Sequence, residues 1–210
     1  MIEIAVADDH PIVRRGVINI LNEEPDLAVV AEASSGQEVL QITRQNNFDV
    51  LVLDMGLPDM NGLEVLYQLK TVRPSVRTLI LSIYPEEQYG LRALKAGAMG
   101  YLTKESAPME LVAAIRKIAQ GERYISAALG DLLVSQLLTD ETAMLHTSLS
   151  NREYQVMLSL SNGKTMSDIA ADLSLSVKTI STYRSRIIEK LHLETTSDII
   201  RYALRHNLVE

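Results

Sequence analysis

The sequence contains no cysteine, which excludes disulfides and thiolate metal sites. No uninterrupted apolar stretch approaches the roughly 18 residues that a membrane span needs. The first residues, MIEIAVADDH, lack the basic flank and long apolar core of a secretory signal, so a cytoplasmic location and no membrane partner are expected. Internal repeats and low-complexity tracts are missing as well. Positive charge is in short supply: 20 Lys and Arg against 27 Asp and Glu leave a net charge of −7, which argues against a generic nucleic-acid binder. What is present is an ordinary soluble composition, 47% hydrophobic and 22% charged over 210 residues, enough for one large domain or two small ones.

The charge is unevenly spread. Residues 1–120 carry 11 basic and 16 acidic side chains, residues 121–147 carry one and four, and residues 148–210 carry eight and seven. Only the last third does not repel a polyanion, and there the clustering of cations matters more than the total.

Through residue 120 two hydrophobic periods alternate. Short apolar runs at Ile2–Ala7, Leu27–Ala33, 50–53, 78–81 and 99–102 have the length and β-branched content of strands buried on both faces. Between them the spacing is helical: Val13, Val17, Ile20 and Leu21 share one face, as do Leu111, Ile115 and Ile118. Pro11 stands at a helix start, where its missing N–H costs little, and Gly97 follows Glu86–Ala96 as a helix-ending glycine. Five strands alternating with five helices predict an α/β, doubly wound, five-stranded parallel sheet of flavodoxin-like order 2-1-3-4-5 over residues 1–120. Residues 121–148 read as a partly helical linker: Gly121 ends the last helix, Ala127–Leu138 suits a short amphipathic helix, and 139–148 is polar and aperiodic. Residues 149–210 predict an all-α domain of four helices. A capping box at Ser150 and Glu153 opens the first, which runs to about Leu160 and stops at Asn162-Gly163. The others span 167–173, 177–191 and 196–206, with a tight turn at 174–176 and Thr196 or Ser197 capping the last.

Three carboxylates fall at strand ends: Asp8 and Asp9 after the first run, Asp54 after the third. In a doubly wound sheet the strand C-termini open on one edge, where ligands bind, and strands one and three are neighbours in the order 2-1-3-4-5. Carboxylates gathered there repel one another unless a cation neutralises them. Hard oxygen ligands favour Mg2+, which keeps several waters and can also take a phosphoryl oxygen. Ser82 closes the fourth run and can donate a hydroxyl hydrogen bond; Lys104 follows the fifth and can place an ammonium against a phosphoryl group. A carboxylate nucleophile, a metal and two donors make a phosphoryl-accepting site. Singly, each residue has a plainer reading. Asp8 or Asp9 could cap the helix at Pro11, Lys104 could be a solvated lysine, and Tyr101 a half-buried strand tyrosine. Asp59 reads as a turn residue and His10 as structural. The tandem pair together with Asp54 favours the site.

The segments VADDHP, LVLDMGLPDMNG, LILS and GYLTK, in that order, resemble the receiver domain of bacterial response regulators over roughly residues 1–120. The resemblance implies that Asp54 is the phosphorylated aspartate, that Asp9 ligates Mg2+ directly and Asp8 mainly through water, and that the backbone carbonyl of Gly56 completes the protein ligands. It implies that Ser82 and Tyr101 are a switch pair, Ser82 turning toward a phosphorylated Asp54 and Tyr101 rotating inward behind it, and that Lys104 binds the phosphoryl group. Two positions depart from the commonest pattern. Glu105 follows Lys104 where many receivers have proline, which leaves the loop geometry open. Ile83 follows Ser82 where many have alanine or glycine; its bulk is expected to obstruct water and give a phosphoform lasting minutes or more.

In the second half the segment 177–191 carries the reading. Ile180, Ile187 and Leu191 share one face, bordered by Tyr183 and Ile188; Lys178, Thr182 and Ser185 lie opposite, with Ser181 and Arg186 on the flanks. A short helix, a tight turn and such a helix make a helix-turn-helix whose last helix enters the major groove N-terminus first. Small hydroxyl residues permit close approach to base edges, while Lys and Arg neutralise phosphates. The expected DNA-contacting residues are Lys178, Thr179, Ser181, Thr182, Arg184, Ser185, Arg186 and Lys190, with Arg184 snorkelling toward a phosphate. The stretch LSNREYQVMLSLSNGKTMSDIAADLSLSVKTISTYRSRIIEKLHL resembles the LuxR-type helix-turn-helix of the NarL/FixJ response regulators, on Leu149-Ser150, Arg152-Glu153, Gly163, Ile169-Ala170, Leu173, Ser176, Lys178-Thr179-Ile180 and Lys190-Leu191. Many members carry lysine where this chain has Ser181, which implies a different sequence preference and fewer ionic contacts.

Together the two resemblances imply a transcription regulator rather than an enzyme. A sensor histidine kinase or a small acyl phosphate would phosphorylate Asp54, releasing the helix-turn-helix domain and favouring a homodimer on double-stranded promoter DNA, with RNA polymerase a further candidate partner. Half-sites are then expected about one DNA turn apart, roughly 34–36 Å. Three alternatives stay open. One is a phosphatase or phosphotransferase acting through Asp54, although such enzymes commonly place nucleophile and second Asp two residues apart after the first strand. Another is a signalling protein that works through protein contacts alone, and a third is a DNA binder that needs no phosphate.

Overall fold

The computed structural model describes residues 1–138, 145–206 and 208–209; most of the polar stretch expected as a tether lies at 139–144, outside the described residues. The chain divides into two compact units, Met1–Val134 and Ser135–Glu210.

In the first unit β1 (Ile2–Ala7), β2 (Leu27–Ala33), β3 (Val50–Asp54), β4 (Arg77–Ser82) and β5 (Gly100–Thr103) pair in parallel in the order β2-β1-β3-β4-β5, as the sequence predicts. They alternate with α1 (Pro11–Asn22), α2 (Gly36–Gln45), α3 (Gly62–Val72), α4 (Glu86–Ala96) and α5 (Ala107–Ala119). Every residue of central β3 is buried, the mark of a strand covered on both faces and the reason its sequence runs apolar without alternation. On one face Val17 and Leu21 of α1 and Leu111, Ile115 and Ile118 of α5 pack on Ile4, Val6, Val50, Val52, Leu79 and Leu81. The intervening strand residues Ala5, Leu51, Leu53, Ile80 and Tyr101 are buried on the other face. Three strands run a residue or more beyond the apolar runs, because backbone pairing carries past the last apolar side chain. Asp54 pairs with Leu81 and Ser82 with Thr103. This register sets Asp8, Asp54, Ser82 and Lys104 along one edge of the sheet. α4 ends as expected at Gly97, whose φ of +111° suits a residue without Cβ.

The chain does not leave this unit at residue 120. Tyr124 forms a parallel bridge with Gly100 and donates its hydroxyl to Glu110 at 2.5 Å, and Ser126 donates to Glu86. Leu129, in α6 (Ala127–Leu138), is fully buried over Gly90 of α4, where a Cβ would stand 2.7 Å from Leu129 Cδ1. The first part of the expected linker thus covers apolar surface of α4 and β5, and the first unit extends to Val134.

The second unit contains a 3-10 turn at Leu145–Ser148 and then α7 (Asn151–Ser161), α8 (Met166–Asp172), α9 (Val177–Lys190) and α10 (Thr196–Arg205). Its core holds Leu149, Tyr154, Met157, Ile169, Ile180, Ile187, Leu191, Ile199 and Ala203. Capping boxes open three of these helices: Ser150 with Glu153, Thr165 with Asp168, and Thr195 with Asp198. One helix start and one cap differ from expectation. α8 begins one residue early at Met166, and Thr195, not Thr196 or Ser197, caps α10, because each threonine has an aspartate three residues on to return its hydrogen bond. The turn between α8 and α9 passes through Ser174 at φ +53°.

Candidate functional site

The ends of β1, β3 and β5 bring the expected acidic cluster together. Asp8 and Asp54 are buried, and Lys104 sits between them, its Nζ 2.7 Å from Asp8 Oδ2 and 2.8 Å from Asp54 Oδ2. Asp54 Oδ1 accepts from the Gly56 N–H at 3.2 Å, which places Gly56 beside the carboxylate. The Asp8 end of β1 is held from two sides: its Oδ1 accepts from His10 N at 2.8 Å, and Arg14 donates to its backbone carbonyl at 2.6 Å. Asp9 is partly exposed, with Oδ1 2.6 Å from Nδ1 of the mostly exposed His10. Ligand atoms from Asp8, Asp9, His10 and Asp54 all lie within 4.8 Å of one another.

Three carboxylates against one ammonium leave the edge short of positive charge. Burial pushes the Asp54 carboxyl above the ordinary carboxylate range; the hydrogen bond from Lys104 opposes the rise without cancelling it, and the charge on Asp8 adds to it. Burial pulls Lys104 the other way, but its hydrogen bond to Asp54 and its close pairing with Asp8 outweigh that and hold its proton more tightly than usual. Asp8 Oδ2, although ion-paired, lacks the angle of a hydrogen bond, and it and Asp9 Oδ1 are buried oxygens with no hydrogen-bond donor. Hard, under-satisfied oxygens at this spacing fit a small divalent cation.

The two residues expected as a switch pair are adjacent. Ser82 is fully buried, and its Oγ accepts from Tyr84 N at 3.1 Å. Tyr101 is fully buried rather than half-buried, already turned inward, and donates its hydroxyl to Tyr84 O at 2.8 Å. Burial raises its hydroxyl well above the usual tyrosine range, opposed by a hydrogen bond with Ser82. Tyr84 therefore ties the pair together, and its ring lies 5.0 Å from that of Tyr89 in α4. The sequence offered no sign of this, since the contact is made by its backbone. Ile83 is 73% exposed and lines an open groove with Pro85, Thr103, Lys104 and Glu105. The loop after Lys104 contains no cis peptide among the described residues and is closed by a bond from Ser106 N to Thr103 Oγ1 at 3.1 Å.

Asp59, read as a turn residue, does more. Its carboxylate accepts from Gly36 N at 2.7 Å and Gln37 N at 2.9 Å, fastening the loop after β3 to the first turn of α2. Burial pushes its carboxyl up, but these two N–H groups win and hold it below its ordinary value. The partner is 23 residues away, so no local pattern reveals it.

In the second unit Ser176 caps α9 by accepting from Thr179 N, and Ile180 and Ile187 fix the buried face. Lys178, Ser181, Thr182, Ser185 and Arg186 are exposed together on the other side. Three further residues of the expected set also have partners inside the unit. Thr179 Oγ1 lies 2.8 Å from Ser176 Oγ and belongs to the cap. Arg184 donates from Nε to Thr196 Oγ1 at 2.6 Å. Lys190 closes on the buried carboxylate of Glu153 at 2.7 Å. A helical wheel counts these as polar positions but cannot show that neighbouring helices supply Arg184 and Lys190 with partners.

Residues 4–116 match the family model of the response regulator receiver domain, and residues 147–203 match that of bacterial regulatory proteins of the luxR family. Response regulator UvrY of Escherichia coli (strain K12) is 35% identical over 209 residues, spanning 99% of this chain and 96% of that protein. Response regulator GacA of Pseudomonas aeruginosa is 34% identical over 211 residues, spanning 100% and 99%. Among solved structures, a LuxR-family two-component response regulator from Aurantimonas sp. SI85-9A1 superposes with a TM-score of 0.62 at 34% identity, covering 66% of this chain and 99% of that one.

Proposed function

The chain belongs to the NarL/FixJ type of two-component response regulator, a receiver joined to a LuxR-type DNA-binding domain, and on that premise we propose that phosphorylation of Asp54 controls promoter binding by α9. It is a transcription regulator rather than an enzyme. We assign the receiver to residues 1–120, the linking segment to 121–148, its first part packed on the receiver, and the DNA-binding domain to 149–210.

The observation that carries the proposal is the meeting of Asp8, Asp9, Asp54 and Lys104 at one sheet edge with more negative charge than the protein itself neutralises. A carboxylate oxygen of Asp54 bonds to phosphorus as the P–N bond of a kinase phosphohistidine, or the P–O bond of an acyl phosphate, breaks. Asp9, Asp54 and the Gly56 carbonyl would hold Mg2+, with Asp8 mainly through water, and the ion would supply neutralisation and a grip on phosphoryl oxygens. Lys104 stays protonated and exchanges its carboxylate contact for a phosphoryl oxygen. Ser82 gives up the Tyr84 N–H and donates to the phosphoryl group, and Tyr101 follows it through Tyr84. The remodelled edge frees the DNA-binding domain and favours a homodimer. Lys178, Ser181, Thr182, Ser185 and Arg186 then meet the major groove, while Thr179, Arg184 and Lys190 hold α9 in place. No helix among the described residues is long and apolar enough to cross a membrane, in keeping with action in the cytoplasm.

Footprinting of a promoter by wild type and Asp54→Ala, each with and without acetyl phosphate, tests this. Protection that depends on both Asp54 and the donor is expected. Equal protection by the variant would sink phosphate control and favour phosphate-independent binding, a reading that the inward Tyr101 supports.

A further inference from the structure

Two hydroxyls in the middle of the exposed α9 face have already committed their protons. Thr182 Oγ1 donates to Lys178 O at 3.1 Å, and Ser185 Oγ donates to Ser181 O at 3.1 Å. Each acceptor is a backbone carbonyl with no proton of its own, so the hydroxyl is the donor in each pair. An uncommitted hydroxyl is both donor and acceptor and meets any base edge equally well. With the hydrogen turned back onto the helix, Thr182 and Ser185 offer outward only lone pairs. Both side chains are exposed, so those lone pairs face whatever α9 meets.

The major groove presents amine donors on adenine N6 and cytosine N4, whereas guanine and thymine present carbonyl acceptors there. Every base pair carries one such amine, on one strand or the other. An acceptor-only group therefore distinguishes the strand that bears the amino base from the strand that bears the keto base, and does not separate A from C. Thr182 and Ser185 are three residues apart, about 4.5 Å along the helix axis, close to the roughly 3.4 Å step between bases along a strand. A helix lying along the groove would thereby set the two oxygens against neighbouring base pairs.

Resting on the DNA-binding reading above, we infer that Thr182 and Ser185 are specificity residues that read two adjacent half-site positions as amino bases, A or C, and reject keto bases, G or T, on the strand they face. To serve a guanine or thymine carbonyl, either hydroxyl must break its bond to the helix. That loss is the scale of one net hydrogen bond, so the preference is about three- to tenfold per position.

The test uses the full chain treated with acetyl phosphate and a pool of randomised duplexes, from which the bound fraction is sequenced. Synthetic duplexes carrying each single-base change are then compared at fixed salt. Wild type is expected to show two neighbouring positions where A and C bind alike and better than G and T. Thr182→Val, which keeps the shape and loses the oxygen, is expected to abolish that preference at one position only, and Ser185→Ala at the other. Both variants should keep the wild-type salt dependence, which shows that phosphate contacts and fold are intact. A keto or single-base preference at these positions, or an amino preference that survives both substitutions, overturns the inference while leaving DNA binding intact. Wild type that retains no duplex overturns the DNA-binding reading as well.

Discussion

Lys104 and Lys190 each close on a buried carboxylate at nearly the same distance, 2.8 Å to Asp54 and 2.7 Å to Glu153, yet the two sites behave oppositely. Burial lifts Asp54 above the ordinary range in spite of its lysine. Burial pushes Glu153 up too, but Lys190 and the hydrogen bonds from Ser150 overcome it, and Glu153 stays below its ordinary value. The number of claimants makes the difference. Asp54 shares one ammonium with Asp8 and has Asp9 nearby, whereas Glu153 has Lys190 and also accepts from Ser150 N at 2.7 Å. A satisfied pair holds helices together; a cluster short of cations is a place where a divalent ion and a phosphoryl group can bind.

The contrast breaks most sharply at Asp54. Asp54→Ala is expected to abolish phosphoryl incorporation from acetyl phosphate, read on a phosphate-affinity gel, while Glu153→Gln labels like wild type; residual label on the alanine variant would place the acceptor elsewhere. Next in size, Glu153→Gln should destabilise the second unit by about 0.5–1 kcal/mol in urea unfolding, the loss of the ion pair with Lys190, since glutamine can still accept from Ser150 N. The figure is kept low because Lys190 is 39% exposed and solvent screens the pair. Because the folded-state pKa of Glu153 lies below its ordinary 4.5, the unfolded chain binds more protons in that window. Its contribution is therefore full above about pH 4.5 and fades as pH falls through the folded value. A glutamine variant with the wild-type acid profile would refute that assignment.

At the acidic edge, Ile83→Ala is expected to shorten a phosphoform lifetime of minutes by several-fold, followed as loss of the labelled band; a wild-type lifetime of seconds would rule out shielding by this side chain. The smallest effect separates the exposed lysine of α9 from the clamped one. Lys178→Ala should reduce the slope of log K against log salt by about 0.9, the loss of one phosphate contact. Lys190→Ala should leave that slope unchanged. A similar drop in both would return Lys190 to the DNA-contacting set.

Where the sequence could be read, the signal was periodic or punctuated. The apolar runs announced the five strands and their order, Gly97 marked the end of α4, and Ser150 with Glu153 marked the start of α7. The acidic edge was legible because Asp8, Asp9, Asp54, Ser82 and Lys104 each sit at the end of a run, and parallel strands deliver their ends to one side. Thr165 and Thr195 were legible in principle, each three residues before an aspartate, but neighbouring hydroxyls obscured them. The residues that escaped, Asp59, Tyr84, Leu129 and Lys190, have partners supplied by other elements.

By itself the sequence determined which residues would form strands and helices and which side chains would stand at strand ends, since periodicity and chain direction are local properties of the backbone. Only the tertiary structure decided which charges would be satisfied. It gave Glu153 its lysine and carried Leu129 onto Gly90. The reason is that a polar group's chemistry depends on how many partners reach it after burial, and those partners arrive from anywhere in the chain.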